Sequence, residues 1–176
     1  MGLGSAAYGV AIALAVLFAS AVVHKLMLVR AGTADADPLI ARRAWTARRA
    51  KTVAACVASG EALLVGALAA MPSAGLAAAS LTLLVYGREL RQIRWDAPCH
   101  CFAVTTRATA VTAALRDLAL AVLAGVSAAI VWVESGGARV GWLSLLVAVA
   151  TLVGVYLGEA AALRHHQSSS GGATAA

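Results

Sequence analysis

Apolar residues fall along this chain in five long runs separated by short polar stretches, roughly 6–29, 52–71, 73–88, 110–133 and 141–162. Each is near the ~17–25 residues a helix needs to cross a hydrocarbon core, and the third is the shortest. Uninterrupted runs of this length predict an all-α, polytopic transmembrane helical bundle of about five spans: a four-helix core plus a C-terminal helix. The first run competes with a signal-peptide reading through Ala19-Ser20-Ala21, a small-residue step like a cleavage site. No Lys or Arg precedes it, and a signal peptide needs a basic leading region, so a retained first helix is expected.

The punctuation between runs fits this plan. Asp37-Pro38 reads as a helix start, with Asp capping and Pro in the first turn, leading into an interfacial helix over 39–51. Met71-Pro72-Ser73 predicts a tight turn between spans 2 and 3, and Thr105, Thr106 and Thr109 offer caps for span 4. Trp132 and Trp142 flank one outer loop while Trp45 and Trp95 lie at the other side, as interfacial aromatic belts do. Gly154 and Gly158 make a GxxxG step, read here as packing within the chain rather than dimerisation. Residues 1–164 form the membrane domain, and 165–176, rich in Ser, Gly and Ala, read as a disordered tail.

Composition agrees: of 176 residues 61% are hydrophobic and only 12% charged, against about a quarter charged in soluble domains. The net charge of +6 invites a nucleic-acid reading, but the placement of the charges rejects it. Of 14 Lys and Arg, eleven lie in the loops after spans 1 and 3 and in the tail, Lys25 and Arg116 lie within spans, and only Arg139 falls in an opposite loop. That asymmetry predicts a multi-pass cell-membrane protein with its N-terminus outside and its C-terminus in the cytoplasm. The basic loops then face membrane lipid, with anionic headgroups as natural contacts.

Candidate chemistry centres on Cys99-His100-Cys101 in the loop between spans 3 and 4. Residues two apart bring their sulfurs together only on an extended or tightly turned chain, and Pro98 disfavours helix just before them. A small disulfide ring is strained and easily reduced, and Arg94, Arg107 and a protonated His100 would stabilise thiolates. Three readings stay open: a redox-active dithiol, a Cu(I) or Zn site using both thiolates and His100, or two reduced thiols with a packing role. Cys56, near the same end of span 2, is either a third thiol or a buried small hydrophobe. Glu61 is the most anomalous residue within a span, since a carboxylate there is costly unless protonated or paired. A Glu61–Arg116 pair is expected, with Lys25 either joining it or snorkelling to the surface. Bundle bracing and proton or quinone handling are both open roles for it.

Taken in order, these residues resemble the MauE/DoxX group of redox-associated membrane proteins. The likeness rests on Phe18 to Leu26, ending His24-Lys25-Leu26; on Gly60-Glu61-Ala62; on Pro98-Cys99-His100-Cys101-Phe102; and on Leu115-Arg116-Asp117. The group commonly has Gly after the cysteine signature, where this chain has Ala103. The resemblance implies a bundle distantly reminiscent of quinone-linked disulfide oxidoreductases, with a quinone as the candidate cofactor; no metal ligand is assigned. It implies Cys99 and Cys101 as the exchanging pair, a thioredoxin-like or other thiol protein as partner, and a client protein under maturation. In the methylamine-utilisation branch that client is the small subunit of a periplasmic amine dehydrogenase. Such a role is simplest with the dithiol outside, whereas the charge bias places the Cys99–Cys101 loop in the cytoplasm. A non-catalytic membrane scaffold and a Cys-His metal-handling protein are the rival functions.

Overall fold

The computed structural model describes residues 3–33, 46–91, 98–99, 108–134, 143–155 and 157. Among them are five helices: α1 (Leu3–Ala31), α2 (Ala47–Ala70), α3 (Pro72–Leu90), α4 (Ala110–Val133) and α5 (Leu143–Val155). The five apolar runs therefore each carry a helix. Three of these, α1, α2 and the Ala113–Val133 part of α4, are long and apolar enough to cross a membrane, and α5 is a shorter apolar helix. The third run does form α3, of 19 residues, but its last turns carry Arg88 and Glu89, so its apolar stretch stops short of a full span.

Local chemistry explains the helix ends. Gly32, at φ +78°, closes α1 in a Schellman arrangement: Gly32 N–H donates to the Val29 carbonyl and Thr33 N–H to that of Leu28. Met71 alone links α2 to α3, and Pro72, which has no N–H to leave unsatisfied, occupies the first position of α3. At the start of α1 the Gly4 N–H donates to Glu134 Oε2 at 2.6 Å, so a carboxylate from the end of α4 meets the positive end of the α1 dipole. This contact also shows that α1 and α4 run in opposite directions.

α1 lies at the centre, touching α2, α3 and α4, and the most extensive contact is between α3 and α4. Phe18, Leu14 and Leu17 of α1 meet Leu76 and Leu83 of α3 in a single core. Elsewhere small residues let backbones approach, as packing in lipid requires. A Cβ on Gly75 would lie 2.6 Å from the backbone of Leu68, and one on Gly9 would lie 2.7 Å from Val147 Cβ. α5 is tied to α1 there, with Ser144 Oγ donating to the Ser5 carbonyl at 2.7 Å. Ser80 Oγ donates to the Ala121 carbonyl at 2.8 Å, joining α3 to α4. A Cβ on Gly154 would meet nothing within 4 Å among the described residues, and Gly158, the other half of the GxxxG step, lies outside them.

Leu26, Leu63, Leu81, Val122 and Leu145 are exposed, one on each helix. Apolar side chains on the outer faces of every helix suit a hydrocarbon surround. Trp132 is exposed near the end of α4, as an interfacial aromatic is. The expected helix start at Asp37-Pro38, the other three Trp residues and the 165–176 tail lie outside the described residues.

Candidate functional site

Lys25, Tyr86 and Asp117 lie toward the end of the bundle at which α1 and α3 finish and α4 begins. Each helix rises ~1.5 Å per residue, so Lys25 sits about 9 Å before the end of α1 and Tyr86 about 6 Å before the end of α3. Asp117 sits about 10 Å after the start of α4, and Glu61 is nearer the middle of α2.

Lys25 and Glu61 are 3% and 2% exposed, and both would be prohibitively placed if alone. They are not alone. Lys25 Nζ donates to Glu61 Oε1 at 2.8 Å and to Oε2 at 3.0 Å, and Tyr86 OH donates to Oε1 at 2.7 Å. The lysine nitrogen also lies 6.0 Å from the centroid of the Tyr86 ring, at the outer limit of a cation–π contact. One carboxylate thus binds three helices together: α1 through Lys25, α2 through Glu61 itself and α3 through Tyr86.

This corrects the expected Glu61–Arg116 pair. Arg116 reaches instead to its neighbour Asp117, donating from Nε at 3.0 Å and from a terminal nitrogen at 2.9 Å, both to Oδ1. The reason is packing. α1 lies directly against α2, bringing Lys25 to Glu61, while α4 lies mainly against α3 and carries its own buried carboxylate. Lys25 accordingly faces inward and does not snorkel. Asp117 stands beside α3, where a Cβ on Gly87 would come within 3.9 Å of it.

Tyr86 was not legible as a site residue. A lone tyrosine near the end of an apolar run reads as an interfacial aromatic. The available signal was that a buried phenol needs a hydrogen-bond partner, and Glu61 was the carboxylate in need of a donor.

Cys99 is in extended backbone, in the two-residue strand β1 (Pro98–Cys99), which pairs antiparallel with β2 (Ala108–Thr109), Cys99 opposite Ala108. Pro98, which cannot sit inside a helix and restricts the residue before it, is compatible with that backbone. β2 runs directly into α4, so Ala108 is roughly 17 Å along the chain from Asp117. The clasp therefore sits at the end of the bundle toward which Lys25, Tyr86 and Asp117 lie. His100 and Cys101 lie outside the described residues. Cys56 is a free thiol exposed on α2, so it is not the buried small hydrophobe of one expectation.

Apolar outer faces, several helices able to cross a bilayer and charges neutralised in pairs within the bundle define a multi-pass integral membrane protein. The chain belongs to the MauE family: the model described as methylamine utilisation protein MauE matches residues 3–132. That match runs from the start of α1 to the end of α4 and takes in Lys25, Glu61, Tyr86, the cysteines and Arg116. No curated protein and no solved structure matches the chain.

Proposed function

We propose that this MauE-family protein is a membrane accessory of thiol–disulfide exchange that supports maturation of a partner protein. Cys99 and Cys101 are the exchanging pair. A client thiolate attacks the Cys99–Cys101 disulfide, and a second client thiolate displaces the mixed disulfide. One S–S bond breaks here and one forms in the client, which gives up two electrons and two protons. A thioredoxin-like disulfide protein or a membrane quinone takes these on when the pair is reoxidised. The observation that carries the reading is the extended backbone of Cys99, clasped through Ala108 to the start of α4. Non-helical backbone, extended or tightly turned, is what two cysteines one residue apart need for their sulfurs to meet, and Cys99 has it.

The ionic cluster serves this reading by bracing the helices that carry the cysteine loop. Glu61, near the middle of α2, joins α1, α2 and α3, and Tyr86 bonds it about 6 Å before the end at which α3 leaves toward the cysteines. We place this end in the cytoplasm, on the bias of Lys and Arg toward its loops.

Alkylation trapping in native membranes tests the exchange. The expected result is a reversible oxidised form that vanishes in Cys99→Ser and in Cys101→Ser. Thiols that stay reduced at every redox poise would overturn exchange and leave a scaffold braced by Glu61. An impermeant maleimide applied from each side tests the orientation, and labelling of Cys99 from outside intact cells would reverse it.

A further inference from the structure

A cleft of about 160 Å³ opens between α3 and α4 near the end of the bundle that carries the cysteines. Its walls divide by chemistry. Leu83 and Leu84 of α3 and Leu118 of α4 form the apolar part, while Arg88 and Arg91 stand at its α3 rim. Leu84, Arg88 and Arg91 are spaced i, i+4, i+7, so they form one stripe along α3, apolar first and cationic at the helix end. Gly87, without a side chain, and the small Ala114 opposite keep the floor between the helices open. Leu84 is 44% and Leu118 38% exposed, so the apolar part opens on the outer face of the bundle. Both arginines are exposed, and among the described residues neither guanidinium makes a hydrogen bond or ion pair. Glu89, between them in sequence, does not line the cleft.

Depth agrees with this division. Counted from Pro72 at ~1.5 Å per residue, Arg88 and Arg91 lie about 24 and 28 Å along α3. A hydrocarbon core is ~30 Å thick, so the guanidinium groups reach the level of lipid phosphates while Leu84 stays among acyl chains. Cationic side chains over an apolar groove between membrane helices are complementary to an anionic amphiphile.

We propose that this cleft binds one anionic phospholipid, its phosphate held by Arg88 and Arg91 and an acyl chain lying against Leu84 and Leu118. Guanidinium groups suit a phosphate because their donors match its oxygens in pairs. A zwitterionic lipid presents the same phosphate with a cation attached, which repels the two arginines.

The test uses the purified full-length protein and counts bound lipid by native mass spectrometry, with phosphatidylglycerol, phosphatidylcholine of the same chains, and inorganic phosphate as probes. The expected result is one phosphatidylglycerol per chain, with affinity falling roughly thirtyfold in Arg88→Gln/Arg91→Gln, as two lost phosphate-level charges imply. Arg48→Gln/Arg49→Gln, which removes exposed arginines from α2, should stay within about twofold of wild type. Leu84→Trp keeps both arginines but fills the apolar part, and should weaken binding at least about fivefold. Unchanged helicity by circular dichroism establishes that each variant is folded. Equal retention of phosphatidylcholine, unchanged binding in either cleft variant, or displacement of the lipid by millimolar inorganic phosphate would overturn the proposal.

Discussion

Replacing Glu61 with Ala is the most informative single change in this protein. The substitution deletes the acceptor of three hydrogen bonds, at 2.8 and 3.0 Å from Lys25 and 2.7 Å from Tyr86. It leaves an ammonium that is 3% exposed with its counter-charge gone. Breaking a buried pair from one side destabilises by about 3–5 kcal/mol, most of it from the charge left behind. A chain unfolded in detergent or lipid finds other polar partners, which draws the figure toward the low end of that range. The double variant Glu61→Ala/Lys25→Met removes both charges and puts an apolar chain of similar length where the lysine was. It should recover about 2 kcal/mol or more relative to Glu61→Ala, because no uncompensated charge remains. Tyr86→Phe, which removes one hydrogen bond to a charged group and keeps the ion pair, should cost about 1.5–3 kcal/mol. Unfolding of the purified protein by SDS titration, followed by helical circular dichroism, measures all three. A Glu61→Ala loss below about 1 kcal/mol, or a double variant no more stable than the single, would refute the view that Glu61 and Lys25 neutralise each other within the bundle.

Other predictions follow from packing and exposure. Gly9→Leu drives a side chain into Ser144 and Val147, so α5 should lose its seat on α1, at a cost of about 1–3 kcal/mol in the same titration. Gly60→Ala, where nothing among the described residues lies within 4 Å, should instead stabilise α2 by about 0.5–1 kcal/mol through the better helix propensity of Ala. Ser80→Ala removes the 2.8 Å bond to the Ala121 carbonyl and should cost about 0.5–1.5 kcal/mol. Cys56→Ser should leave the oxidised form seen in alkylation trapping unchanged, and its disappearance would make Cys56 a participant in exchange.

The amino-acid sequence by itself determined that this is a bundle of membrane helices, and it determined their order and approximate ends. Long apolar runs admit few other structures, and the residues that stop them, Pro72 and Gly32 among them, act through their own backbone chemistry. It also marked Lys25, Glu61 and Arg116 as charges needing partners, because hydrocarbon tolerates no isolated charge. Which charge met which was decided only by tertiary structure. In a water-soluble helix the polar stripe reveals the outer face, but in lipid both the core and the surround are apolar, so the outward and inward faces of α1 and α2 read alike. Only the packing of α1 on α2 turned Lys25 toward Glu61. The seating of α3 brought Tyr86 to the same carboxylate, and the placement of α4 left Arg116 with its neighbour Asp117. The cleft under Arg88 and Arg91 has the same origin: it exists because Gly87 and Ala114 came to face each other, and no pattern along one helix states what stands across from it.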